Sequence, residues 1–185
     1  VFNPNGEIRW SHYLSTPRKH NGKIYWDGIE IDITERKQAE NALRESEERY
    51  QNFIAHSFEA IYRTEFDHPI DITLPLETQI DQIYENAYMA ECNQAMADMY
   101  RQPSVEALIG SRLIDAHGGK DNPVNRAAFR KFIENGYKSF DDETIEFDSA
   151  GNPVWFLSNT VGLVESGCLI RLWGTSLDVT ERKRA

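Results

Sequence analysis

The sequence predicts an α+β fold built on an antiparallel sheet. Two observations carry that expectation. Over residues 56–180 the apolar pattern gives two strands, then several short helical stretches, then three strands, and elements in such blocks favour α+β over alternating parallel units. The closing strand–turn–strand passage also occurs twice. Asn5-Gly6-Glu7-Ile8-Arg9-Trp10 and its sequel to Lys37 recur as Ala150-Gly151-Asn152-Pro153-Val154-Trp155 and its sequel to Lys183. Gly6 and Gly22 stand sixteen residues apart, as do Gly151 and Gly167. The copies close on Asp32-Ile33-Thr34-Glu35-Arg36-Lys37 and on Asp178-Val179-Thr180-Glu181-Arg182-Lys183. Repetition of this kind marks a tandem array. The expected organisation is the C-terminal hairpin of a preceding unit over 1–34, a linker helix over 35–55, a complete unit over 56–180 and the start of a further helix over 181–185.

Each element has its own warrant. Residues 8–15 and 23–33 read as strands joined at Lys19-His20-Asn21-Gly22-Lys23, because Asn-Gly is the strongest short hairpin signal. Tyr25, Ile29, Ile31 and Ile33 share one face, with Asp27 the exception. A lone hairpin is marginal in water, so this one needs another surface. Thr34 is expected to cap a helix that carries Glu35 in its first turn and runs to about Ala55 without Gly or Pro. Ala39, Leu43, Ser46, Tyr50 and Phe53 alternate steps of four and three, a seam of about two heptads. That seam fits either a plain amphipathic linker or a parallel two-chain coil.

In the complete unit, Ala60, Tyr62, Thr64 and Phe66 alternate with Arg63 and Glu65, which reads as a strand over 59–66. Residues 67–81, with Pro69 and Pro75 among polar residues, read as a long loop, and 82–89 as the second strand. Met96, Met99 and Tyr100 share a face of a short helix over 93–100, and Pro103-Ser104 opens another that Gly110 closes. The chain then turns near Gly118-Gly119. Asn122-Pro123 supplies an N-cap and a first helical residue, Val124, Ala128, Phe129, Phe132 and Ile133 form the apolar stripe, and Gly136 marks the stop. Strands over 139–148, 153–163 and 168–179 finish the unit, with turns at Ser149-Ala150-Gly151-Asn152 and Glu165-Ser166-Gly167.

The formal net charge is −10, with 40% hydrophobic and 27% charged residues, a globular composition. The acid excess argues against nucleic-acid binding, which needs phosphate-neutralising Lys and Arg. No apolar stretch approaches the length of a membrane span, so no direct membrane contact is expected. Cys92 and Cys168 form no Cys-x-x-Cys pair and read as buried free thiols of a reducing cytosol. Catalysis needs a positioned acid, base, nucleophile or metal. His12, His20, His56, His68 and His117 lack ligand spacing, Ser158 and Ser166 lack a nucleophile elbow, and Gly118-Gly119-Lys120 lacks the rest of a phosphate loop. Asp141-Asp142-Glu143 reads as a solvated strand edge and His117 as a loop histidine in water. No catalytic turnover and no metal are expected.

The phrases Ala60-Ile61-Tyr62-Arg63, Glu91-Cys92-Asn93, Met99-Tyr100, Leu108-Ile109-Gly110, Gly151-Asn152-Pro153-Val154-Trp155 and the closing Asp-x-Thr-Glu-Arg-Lys together resemble PAS domains, the sensory modules of bacterial signalling proteins. The likeness runs from 49 to 183, and residues 5–37 resemble only the family's C-terminal part. It implies a five-stranded antiparallel sheet with short helices on one face, a ligand hollow between them, and homodimer contacts through the outer sheet face or residues 35–55. The parent it implies is a cytoplasmic multidomain regulator, most often a sensor histidine kinase, otherwise a cyclic-dinucleotide enzyme or a transcription regulator. The adjacent domains of that chain would be its partners. The rival is a structural dimerisation module with a filled core and no ligand.

Light-sensing relatives carry a reactive Cys in an Asn-Cys-Arg phrase before the long helix. The matching stretch 110–121 has none, so flavin is not expected. Haem-binding relatives use a His on the long helix; 122–135 has none, so haem is not expected either. A small-molecule ligand remains open. Tyr62, Met96, Phe129, Phe132, Trp155 and Trp173 are the candidates to line its pocket, and all six serve equally as ordinary core. Asp32, Thr34, Asp178 and Thr180 stand where a strand ends and a helix begins. There each Thr is expected to cap orphan amides, each Asp to pair with a nearby Arg or Lys, and the family passes its signal onward.

Overall fold

Asn21 and Gly22 hold φ of 48° and 76°, the two positive values that a two-residue hairpin turn between twisted strands requires. They join β1 (Ser11–His20) to β2 (Lys23–Asp32) in a two-stranded antiparallel sheet paired from Ser11↔Asp32 to His20↔Lys23. This is a computed structural model, and it describes residues 8–184; the opening of the first repeat, Asn5-Gly6-Glu7, lies outside the described residues. The chain divides into two compact units between Asn52 and Phe53. In the first, the hairpin leaves Leu14, Trp26 and Ile29 more than 60% exposed, so apolar residues face solvent on both sides of it. Helix α1 (Thr34–Ala55) buries no residue, and Leu43 and Phe53 of its seam are exposed.

The second unit begins with β3 (Ala60–Asp71), α2 (Leu76–Asn86), β4 (Ala87–Cys92) and α3 (Gln94–Met99). A single 3-10 turn (Val105–Ala107), α4 (Leu113–Ala116) and α5 (Pro123–Glu134) follow. Strands β5 (Lys138–Phe147), β6 (Pro153–Glu165) and β7 (Cys168–Asp178) lead to α6 (Thr180–Arg184). The five strands form one sheet in the order β4-β3-β7-β6-β5, every neighbour antiparallel. This is the α+β architecture that the order of elements predicts.

Two expectations fail between residues 67 and 89. The polar stretch is not a long loop. β3 continues to Asp71, and Pro69 is tolerated because the β3–β7 ladder is interrupted between Glu65 and Ile70. Asp71 Oδ1 then accepts bonds from the amide and hydroxyl of Thr73, both at 2.8 Å, and Pro75 precedes the first turn of α2. Nor is all of 82–89 a strand: the second strand of the unit, β4, begins only at Ala87. Ile80, Ile83, Tyr84 and Ala87 recur at helical spacing and are wholly buried, so the helix persists to Asn86. Helix α4 is a further element, to which the sequence reading assigns nothing.

Side chains from the helices meet one sheet face in two clusters. One joins Ala60 and Phe156 of the sheet to Met96, Ala97 and Tyr100. The other joins Phe66, Leu169 and Leu172 to Ile83, Ala87 and Phe132. Asn93 ties α3 to β3: its Oδ1 accepts from the amides of Ile61 at 3.0 Å and Met96 at 3.1 Å, and its Nδ2 donates to Glu59 O at 2.8 Å. Cys92 is buried as expected, and burial, with Glu91 and Glu106 adding, pushes its thiol up to about 11. Cys168 is only partly buried.

Candidate functional site

The inner face of the sheet is polar where a filled core would be apolar. The strand register sets Ser139 against Thr160, Asp142 against Ser158, and Ser158 against Ser176. Ser139, Asp142, Glu146, Ser158 and Ser176 are all buried. The hydroxyls of Ser158 and Ser176 bond each other at 2.8 Å. Tyr62 reaches across the sheet to Thr160 at 2.8 Å, and burial pushes its phenol up to about 12. Gly174 makes that reach available: a Cβ there would stand 2.3 Å from the Tyr62 ring and hydroxyl. Against these groups the helices lay Met96, Phe129 and Phe132, and the space left between is a cavity of about 80 Å³. It borders both apolar clusters, so the core is two parts around a void. A neighbouring hollow of about 200 Å³ shares Thr64, Met89, Tyr100 and Leu113 with it.

Of the expected pocket residues, the structure places Tyr62, Met96, Phe129 and Phe132 around this cavity. Trp155 and Trp173 lie elsewhere. Trp155 alternates with Val154 and Phe156, which are buried, and Trp173 alternates with buried Leu172, so strand periodicity turns both rings to the other sheet face. There the Arg63 guanidinium sits 5.5 Å from the Trp173 ring.

Two groups read as solvated prove to be interior. His117 is 3% exposed, held by the one-turn helix α4. Its Nδ1 lies 3.1 Å from the Tyr84 hydroxyl, its Nε2 lies 3.5 Å from Glu146 Oε1, and its ring is 5.9 Å from that of Phe129. Asp142 is 8% exposed and lines the cavity. Glu146, which the sequence reading did not single out, receives bonds from Tyr100 and, at 3.1 Å, from Thr144. Burial pushes the Glu146 carboxyl up, but His117, Tyr100 and Thr144 outweigh it and hold the group below its ordinary value. Burial and the Glu146 charge push the Tyr100 phenol well up. Asn125, wholly buried on α5, bonds both the amide and the carbonyl of Ile145 at 2.8 and 2.7 Å, covering the free edge of β5. The alternation of β5 at Asp142, Thr144 and Glu146 was the one signal that these acids share a face.

The junction residues take the same geometry twice. Asp32 Oδ1 accepts from the Thr34 amide at 2.9 Å, and Asp178 Oδ1 from the Thr180 amide at 2.8 Å. The threonine hydroxyls do not cap the helix, as expected of them, but accept from the backbone amides of Trp10, just before β1, at 3.0 Å and of Trp155 in β6 at 2.9 Å. The Asp is therefore the residue that satisfies the helix start. Arg9 stands 3.8 Å from Asp32. Among the described residues no helix is long and apolar enough to cross a membrane, and no group of three His, Cys, Asp or Glu is placed to hold a metal ion.

The second unit is an α+β module in which a five-stranded antiparallel sheet and short helices flank a cavity with polar and apolar walls, and the last strand leads into a helix. The PAS fold family model matches residues 84–184, more than half of the chain, and the chain belongs to that family. No curated protein matches it. The PAS domain of a protein from Colwellia psychrerythraea is 18% identical, with a TM-score of 0.53 over 73% of this chain and 98% of that one. An RNA-binding Light-Oxygen-Voltage receptor is 17% identical, with a TM-score of 0.50 over 96% of this chain, which spans 41% of that receptor's length. The PAS domain, in complex with ethanol, of a LuxR-family transcriptional regulator from Burkholderia thailandensis is 14% identical, with a TM-score of 0.49 over 70% of this chain and 96% of that one. At these identities the likeness is one of fold.

Proposed function

We propose that the second unit senses a small molecule in its cavity and relays occupancy to the helix that follows it, within a cytoplasmic multidomain regulator such as a sensor histidine kinase. One observation carries the reading: β6 belongs to both sites. Its inner face lends Ser158 and Thr160 to the cavity, and its Trp155 amide and carbonyl hold Thr180 and Val179 at 2.9 and 2.8 Å. A shift of β6 driven by a ligand therefore changes the bonds that start α6. The residues at work are Tyr62, Met96, Phe129, Phe132, His117 and Asp142 for reception, and Asp178 and Thr180 for relay; Asp32 and Thr34 repeat the relay geometry after the hairpin. The rival is a structural dimerisation module, favoured by the exposure of Phe140 and Leu177 at 67% and 57%.

Native mass spectrometry of the protein as purified, followed by amide NMR during a screen of small metabolites, decides between them. The expected result is a bound small molecule, or one that shifts the amides of both 156–160 and 179–184. A cavity that stays silent throughout the screen, in a protein that is a dimer by light scattering, overturns the sensing reading in favour of the structural one.

A further inference from the structure

We propose that the cavity's ligand is a small primary alkylammonium ion anchored by Asp142; this rests on the sensing reading and names the chemistry of its ligand. Asp142 is 8% exposed, and its Oδ1 is taken by Lys131, while Oδ2 is buried with no hydrogen-bond partner. A carboxylate oxygen is acceptor only, so the empty position calls for a donor. The backbone is shaped to present it. Between the pairs Ser139↔Thr160 and Asp142↔Ser158 the β5 strand carries one residue more than β6. Asp141 takes up that residue at a φ of 52°, with its amide bonded to Asn159 Oδ1 at 3.0 Å. The bulge reverses the alternation, so Ser139 and Asp142 share the inner face although their positions differ in parity, and Thr144 and Glu146 follow Asp142 on that face.

Charge and ring chemistry select a cation among donors. Asp142 and Glu146 both line the cavity, and no Lys or Arg does. Lys131 reaches Asp142 from a side chain that is 56% exposed, and His117 is engaged with Glu146 and Tyr84. Each carboxylate therefore has one basic partner, and Asp142 Oδ2 is the carboxylate oxygen left without any partner. The rings of Tyr62, Tyr100, Phe129 and Phe132 complete the wall, and aromatic faces attract cations, more so when water is excluded. Size sets the last limit. The volume is about 80 Å³, whereas a cavity of about 150 Å³ accepts benzene, so the ligand is smaller than benzene. A short alkyl chain against Phe129 and Phe132 with its ammonium on Asp142 meets every requirement.

The test titrates the full chain at neutral pH with propylammonium chloride, with 1-propanol as the neutral isostere and sodium chloride as the ionic-strength control, read by amide NMR and melting temperature. The expected result is saturable shifts at residues 139–142 and 158–160, with the ammonium bound about tenfold or more tighter than the alcohol. Asp142→Asn, close in shape, abolishes that preference. Lys131→Met, which frees Oδ1, strengthens ammonium binding several-fold, a response that a purely structural Asp142 does not give. Alcohol bound as tightly as ammonium, and equally in Asp142→Asn, overturns the ammonium assignment while leaving the cavity a ligand site. Silence toward both probes also overturns it, and the metabolite screen then separately decides whether the cavity senses anything.

Discussion

Glu146 shows what a single interior charge does to this fold. It is 6% exposed, it accepts from the Tyr100 and Thr144 hydroxyls, and it faces His117, which in turn faces Tyr84. Although burial raises its pKa, these partners bring it below the ordinary 4.5. A carboxyl whose pKa is lowered on folding contributes stability that is fully present above its unfolded value and is lost as pH falls through the folded one. The melting temperature should therefore drop as pH is taken from about 5 to about 3, and Glu146→Gln should flatten that drop; parallel curves for the two proteins would show that the network holds no folded-state charge. None of this network was legible in the sequence beyond the alternation of β5. His117 follows no apolar stripe, and it is drawn inside by a helix of one turn, too short for periodicity to reveal. Asp142 stands in an acidic run that reads as surface, and the bulge before it, a property of the pairing with β6, breaks the parity that would link it to buried Ser139. The four lining residues Tyr62, Met96, Phe129 and Phe132 were legible because each lies on the apolar side of its own element, whereas Trp155 and Trp173 lie on the opposite parity of theirs.

At the scale of elements the repeated junction is the most informative feature. The longer phrase Asp-x-Thr-Glu-Arg-Lys occurs twice in the sequence and produces the same bonds twice. Each Asp ends its strand by accepting the first helical amide, and each Thr locks that turn to the neighbouring segment. The two copies differ in surroundings: Thr180 is 6% exposed, while the Trp10 that donates to Thr34 is 48% exposed. Water can replace a lost acceptor at the first junction far more readily than at the second. Thr180→Val should thus destabilise the second unit by about 1–2 kcal/mol, and Thr34→Val should cost less than about 0.5 kcal/mol, both read from urea denaturation. Equal losses would mean that solvent reaches both junctions alike. Helix α2 carries the opposite lesson. Its buried stripe of Ile80, Ile83 and Tyr84 is regular, but Glu77, Asp81 and Glu85 between them serve ion pairs with Arg126, Arg130 and Lys120, and that polar face masks the period.

Across the whole molecule, cohesion is uneven. β6 and β7 lie inside the five-stranded sheet, each with a bonded neighbour on both sides and a buried face. β1 and β2 pair only with each other, and Tyr13, Leu14, Ile24, Trp26 and Ile29 stay more than half exposed. Local opening costs least where few apolar groups are buried, and an isolated hairpin is marginal in water. Hydrogen exchange followed by mass spectrometry should find the amides of 11–32 exchanging about a hundredfold or more faster than those of 154–162 and 169–177. The comparison is internal to one sample, so pH and temperature cancel. Comparable protection in the hairpin would require another surface to cover its apolar faces in solution. Light scattering then separates the sources: a doubled mass assigns the cover to a second copy of the chain, and a single mass assigns it to the chain itself.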